Sequence, residues 1–279
     1  MKINIRGVRG SIPTSGPEVK HYGGNTSCAE VTAEGWKLVL DGGSGIRNLK
    51  WAEGLEQKRI DILLTHLHMD HIQGLGFFSP LFDPAMEIHI WGPSSSTHTL
   101  HERLSLYLSP PLFPVHIRDL PCKLKLHEIG NSKFEIGPFK IRSGYIIHPG
   151  PTVGYRINHD SFVFTYIPDH EPALGVSGIL KDRRWVSGID LATEADVLLH
   201  DAQYSPEEYS IKTGWGHSSM DDAVLFASMA EVKRLLMAHH DPAHSDEILD
   251  HMLLEVKERS NASFSYELAA EGMEILLPA

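Results

Sequence analysis

Two cysteines, Cys28 and Cys122, are all that this chain of 279 residues carries. That scarcity excludes a disulfide framework and a cysteine-based zinc site as organising principles. No apolar run approaches the length needed to cross a membrane. Residues 1–6 alternate like a strand and lack the long apolar core of a signal peptide. A cytoplasmic location with no membrane partner is therefore expected. Positive charge is also short, with 25 Lys and Arg against 36 Asp and Glu, a formal net charge of -11. Such a balance argues against broad, unspecific binding to nucleic acid or anionic membrane, while leaving room for a local basic patch around a small anionic substrate. Internal repeats and low-complexity linkers are absent as well. What is present is an ordinary globular composition, 42% hydrophobic and 22% charged, on a chain long enough for a substantial core.

Histidine, by contrast, is abundant: there are 18, several in clusters. The densest stretch is Thr65-His66-Leu67-His68-Met69-Asp70-His71, which follows the apolar run 60–64, read as a buried strand. His66 and His68 are two apart and on extended backbone point the same way. Asp70 and His71 fall where the strand breaks into a loop and helix, so they can be aimed differently. Each pair is half of a metal site, because divalent first-row metals take imidazole nitrogens and carboxylate oxygens in small shells. Further along, apolar strands end in similar residues: His148 after 145–147, Asp169 and then His170-Glu171 after 161–167, His200-Asp201 after 195–199, and His239-His240 after 232–237. Asp169 has two oxygens and can bridge two metals. Asp41, at the end of strand 36–40 and followed by glycines, also lies where backbone approaches closely. The pattern reads as two successive halves, each strands first and helices after, with ligand residues at strand ends in both. It fits one domain over 1–279, a sandwich of two sheets flanked by helices.

The segment His66-Leu67-His68-Met69-Asp70-His71 resembles the H-x-H-x-D-H signature of the metallo-β-lactamase superfamily. The resemblance implies an α/β fold of αββα type, two mixed sheets flanked by helices, and two divalent metal ions, zinc or manganese with iron also compatible. It implies one metal held by His66, His68, His148 and Asp169, and a second by Asp70, His71, His239 and Asp169. His239 is taken over His240 because the family's imidazole comes one residue after the strand; His240 then sits behind it. By the same likeness Asp41 supports the ligand loop from behind. Two metals about 3.5–4 Å apart can hold a bridging hydroxide and clamp the oxygens of an in-line displacement. Asp70 can also orient the attacking water.

The pair His200-Asp201 with Gly216-His217-Ser218 resembles the ribonuclease Z branch, where a carboxylate-held imidazole acts as general acid beside the phosphate. His217 would be that acid and Asp201 its orienter. Ribonuclease Z also carries a long Gly/Pro-rich arm that grips tRNA, and nothing in 171–191 looks long or basic enough for one. The expectation is therefore a phosphodiesterase acting on a small phosphodiester, foremost a cyclic nucleotide, with no extended nucleic acid as partner and a homodimer as the assembly. A lactonase or thioesterase, a tRNA-processing nuclease and a metal-containing sensor or redox module are the alternatives. The remaining readings are local. Arg9, Asn25 and Thr26 could meet a phosphate or simply make turns. His89 is structural. Residues 95–108 form a core-facing helix, and the stiff loop 109–115 serves as lid, dimer contact or core cap.

Overall fold

Leu38 and Leu40 face one way along their strand and Val39 the other, and all three are fully buried. This period of two, with apolar residues on both faces, is repeated in strand after strand and dictates a sheet covered on both sides. The computed structural model describes residues 1–49, 58–172, 174 and 178–277. In it Lys2–Gly7 (β1), Cys28–Ala33 (β2), Trp36–Leu40 (β3), Arg59–Leu63 (β4), Glu87–Pro93 (β5) and Lys123–Ile129 (β6) form a first sheet. Ser132–Ile136 (β7), Phe139–Tyr145 (β8), Val153–His159 (β9), Phe162–Ile167 (β10), Val197–Asp201 (β11), Arg234–Ala238 (β12) and Ser265–Leu268 (β13) form a second. Glu274–Leu276 (β14) returns to the first sheet beside β1, pairing Ile3 with Ile275. The halves are thus not strictly successive, because the last strand closes the edge of the first sheet. The strand orders are β14-β1-β2-β3-β4-β5-β6 and β13-β12-β11-β10-β9-β8-β7, each sheet mixing parallel and antiparallel pairs. Helices comprise Met69–Ile72 (α1), Leu100–Tyr107 (α2), Ile189–Ala192 (α3), Pro206–Lys212 (α4), Met220–Met229 (α5) and Asp246–Arg259 (α6).

Three apolar layers follow from the alternation. Leu38, Leu40 and Leu63 meet Tyr155, Phe164, Val197, Leu199 and Leu236 between the sheets. Val39, Ile60 and Ile62 face outward onto Leu100 and Leu104 of α2. Leu198, Leu235 and Met237 face the other way onto Phe226 of α5 and Leu249 of α6. This is the expected αββα sandwich. Helix α2 is shorter than the spacing over 95–108 predicts. Its start is set by Thr99, whose side chain accepts from Glu102 N while Glu102 accepts from Thr99 N, a reciprocal cap that stops the helix from extending upstream. Of the two serines suited to cap α5, it is Ser219 that accepts from Asp222 N. No helix among the described residues is long and apolar enough to cross a membrane.

The layering places chemistry at one edge. Strands β10, β11 and β12 run parallel, so their C-terminal ends carry Asp169, Asp201 and His239 to the same side. The end of β4 is stitched to that side from the other sheet: Val153 N donates to Thr65 O at 2.9 Å and Tyr155 Oη to Leu64 O at 2.7 Å.

Candidate metal centre

Beyond β4, His66, His68, Asp70 and His71 splay as their positions predict. One potential ligand atom from each of His66, His68 and His148 lies within 4.8 Å of the others, and Asp70, His71, Asp169 and His239 form a second group by the same measure. Asp169 lies between them. Its Oδ2 is 3.8 Å from both His66 Nε2 and His148 Nε2 and 3.3 Å from His239 Nε2, while its Oδ1 is 3.0 Å from His71 Nε2. Asp70 Oδ2 stands 3.4 Å from His71 Nε2 and 3.6 Å from His239 Nε2. All seven predicted ligand residues are therefore brought together. His148 is not at a strand end, however. β8 stops at Tyr145, and His148 sits in the loop held by Ile146 N to Thr152 O and Ile147 N to Ser187 Oγ.

Three of the imidazoles and Asp70 are held from behind. Asp41 Oδ2 accepts from His71 Nδ1 at 2.9 Å, and Asp41 Oδ1 accepts from Thr65 N at 2.7 Å. Thr65 Oγ1 lies 3.1 Å from His66 Nδ1, and Gly216 O accepts from His148 Nδ1 at 2.7 Å. Ser11 N donates to Asp70 Oδ2 at 2.8 Å. Asp41 and His239 both adopt left-handed backbone, φ 59 and 63. That conformation is costly for residues with side chains and turns both toward the cluster, the kind of strain found where function needs it.

The chemistry of this donor set fits two cations. His66 Nε2, His71 Nε2 and Asp169 Oδ1 are buried and make no well-directed hydrogen bond, although the last two approach to 3.0 Å. Burial and neighbouring imidazoles push the His66 proton affinity well down, burial lowers that of His68, and burial pushes His148 down to about 4. Those three rings are thus neutral at pH 7, the form that binds metal. Burial would raise the Asp169 carboxyl, but His239, His71 and His66 outweigh it and hold it ionised. Burial works against the His71 proton too, yet Asp169, Asp70 and Asp41 retain it, and a bound cation takes that proton's place.

Beside this cluster stands the predicted pair. Asp201, fully buried, places Oδ2 2.6 Å from His217 Nδ1; its Oδ1 accepts from Gln203 N and Ser218 N at 3.1 Å each. Burial disfavours the imidazolium, but Asp201, then Asp169 and Asp70, hold it up to about 9. His217 lies 4.0 Å from Asp169 Oδ2 and stacks on the His239 ring. Its side chain is 12% exposed, so the ring can be reached from solvent.

Other positions resolve as structural. Arg9 is fully buried, donating to Gly23 O, Asp241 O and His244 O, and Asn25 bonds Glu271. Thr26 pairs with Ser44 and Gln73. All three are thus engaged in holding loops together, Arg9 also standing 3.8 Å from Asp246. His89 bonds Glu87 and His127 on the first sheet, His170 bonds His200, and His240 Nε2 donates to Ala269 O at 2.9 Å behind the site.

Glu171, which the sequence leaves open as either support for the ligands or mere loop polarity, is a hub. It is fully buried; Oε1 accepts from Gly214 N at 2.7 Å and Tyr209 Oη at 3.1 Å, and Oε2 accepts from Gly216 N at 2.7 Å. Its own N donates to Ile147 O. One residue thereby ties the loops of His148, Asp169 and His217 together. The signal that could have revealed it is the run Pro168-Asp169-His170-Glu171, a second acid at a buried-strand end facing a Gly-x-Gly loop.

Comparison with known proteins agrees with this fold. The family described as "Beta-lactamase superfamily domain" matches residues 37–240. The chain is similar to a ribonuclease Z of Gemmatimonas aurantiaca, 26% identical, with 90% of each chain covered. Among solved structures it is similar to the metallo-beta-lactamase fold protein YhfI from Bacillus subtilis, with TM-score 0.71, 20% identity and 98% of each chain covered. It is also similar to a diphosphatase from the PhnP family, with TM-score 0.68, 18% identity and 98% and 96% covered.

Proposed function

We propose that this chain, which belongs to the metallo-β-lactamase superfamily in its ribonuclease Z-like branch, hydrolyses a small phosphodiester, foremost a cyclic nucleotide. A metal-dependent hydrolase is the coarser statement that family membership and the His/Asp clusters support. His66, His68 and His148 would hold one divalent ion and Asp70, His71 and His239 the other, with Asp169 between them. Such ions, zinc or manganese, supply Lewis acidity, acidify water and offset the negative charge shared by nucleophile and phosphodiester.

The chain's own residues supply the rest. With Nδ1 engaged by Asp201, His217 has Nε2 left to donate a proton to the departing oxygen. Asp201 fixes the tautomer and favours the imidazolium, so the proton is present near neutrality. Asp201 is itself fixed by the backbone N–H groups of His170, Gln203 and Ser218, and so is pre-positioned. Asp70 keeps an oxygen within reach of both His71 and His239, a position from which it can orient water.

The Asp201–His217 pair beside Asp169 is the observation that carries the reading. A thioester gives a proton donor held at about 9 less to do, since its thiolate is more easily expelled than an alkoxide. A second reading, a tRNA-processing nuclease, is favoured by the name of the ribonuclease Z relative. Against it stand the net charge of -11 and the pairing of nearby basic residues, Arg184 with Asp182 and Arg183 with Glu231, each at 2.6 Å. The same reading includes action as one catalytic unit over residues 1–279, a homodimeric assembly and a cytoplasmic site of action. The test is a substrate panel on protein loaded with zinc or manganese: bis(p-nitrophenyl) phosphate, cyclic mononucleotides, a precursor tRNA, lactones and thioesters. Turnover of small phosphodiesters above the others is expected. Turnover confined to lactones, thioesters or precursor tRNA would overturn the reading.

A further inference from the structure

A pocket of about 320 Å³ opens directly beside His66 and His68. Its walls are largely apolar, with Met69, Leu106, Leu112, Pro149 and Pro151 among the lining residues. They come from four separate stretches of chain, so their meeting is a product of the fold. Leu106 and Leu112 are 74% and 70% exposed and Met69 is 52% exposed. An apolar patch this open to water at the mouth of a site marks binding.

Two further observations narrow the occupant. The pocket shares His66 and His68 with the candidate metal centre, so whatever fills it is continuous with a group bound there. Arg103 also lines it. The Arg103 side chain is largely buried, its Nη2 donates to Pro93 O and Glu128 stands 3.9 Å away, yet its Nε is buried with no hydrogen-bond partner among the described residues. Tyr107 adds no free donor, because its hydroxyl is already given to Gln73 O at 2.6 Å. The pocket thus offers broad apolar walls.

Resting on the phosphodiesterase reading, we infer that this pocket is a specificity subsite for the uncharged, largely apolar part of the substrate, the nucleobase carried on its phosphodiester. The ring packs between Leu106, Leu112 and Pro149 and covers surface that is otherwise wet. Selection among substrates of the same phosphate chemistry then depends on the base. A base-free analogue forfeits that burial while keeping every contact at the metal centre.

The test compares adenosine 2′,3′-cyclic phosphate with methyl riboside 2′,3′-cyclic phosphate, in which a methoxy group replaces the base. The wild-type kcat/KM should favour the base-bearing compound by about 10-fold or more, and this ratio should fall at least about 5-fold in Leu106→Ser/Leu112→Ser, for which both positions are exposed and folding is undisturbed. A second readout needs no turnover: adenosine alone should shift the methyl resonances of Leu106 and Leu112. Equal turnover of both compounds, with a ratio the variant leaves unchanged, would overturn the subsite and leave the hydrolase standing. Turnover of neither would count against the phosphodiesterase, and the adenosine titration then decides the subsite by itself, shifts supporting it and their absence overturning it.

Discussion

Replacing Glu171 with Gln should loosen the metal centre without touching a ligand. Both carboxylate oxygens accept backbone N–H groups, from Gly214 and Gly216, and one also accepts the Tyr209 hydroxyl. A carboxamide has one oxygen. Whichever way it is turned, its NH2 faces a buried N–H, and at least one bond to a charged acceptor is lost; such bonds contribute about 1.5–3 kcal/mol. The loss is relayed, because Gly216 O is the acceptor that fixes His148 Nδ1 at 2.7 Å. Disturbing the partner of a ligating imidazole typically costs about 10–100-fold in metal affinity. The assay is competition of Glu171→Gln against a chromogenic chelator, with urea unfolding of the metal-free protein beside it. Tyr209→Phe, which removes one donor and leaves both backbone bonds, should fall well short of that effect. A Glu171→Gln protein that binds metal within about 2-fold of wild type, with unfolding unchanged, would refute the relay.

Further outcomes follow from the same structure. Asp201→Asn should lower kcat by about two to four orders of magnitude with KM little changed. The carboxylate raises the His217 pKa, so activity present below that pKa should be lost at lower pH in the variant; an unmoved alkaline limb would count against the assignment. Burial pushes His200 down to about 4 despite Asp201, so its neutral form stabilises the fold above the unfolded value near 6.5 and that stability is lost as pH falls. Between pH 7 and 5 the loss amounts to about 2 kcal/mol, which urea unfolding of the metal-free protein should register and His200→Gln should reduce. Adding zinc at about 1,000 times its Kd should stabilise the metal-free protein by about 4 kcal/mol, and the gain should disappear in His66→Ala/Asp169→Ala. A thermal shift that survives the double substitution would place binding elsewhere.

Much of this was legible in the sequence, for identifiable reasons. Apolar runs announced the buried strands, and ligand-type residues at the ends of β4, β10, β11 and β12 announced the edge where they converge. His239 was separable from His240 only through the family pattern, and the structure supplies the cause: left-handed backbone turns His239 into the cluster while His240 is buried against Ala269 O. Glu171 was not legible as a hub, since its partners lie 38 to 45 residues away. The return of β14 to the first sheet and the meeting of Leu106, Leu112 and Pro149 were hidden likewise. Local pattern gives strands and their faces; which distant loops share a wall is settled by packing.

The most direct test of the central claim is single-turnover hydrolysis of a cyclic nucleotide by metal-loaded His217→Ala, with metal content measured on the same sample. The account predicts two bound metal ions per chain and a rate lower than wild type by at least about two orders of magnitude. A wild-type rate in His217→Ala at full metal content would contradict it, leaving the metal centre in place without its acid.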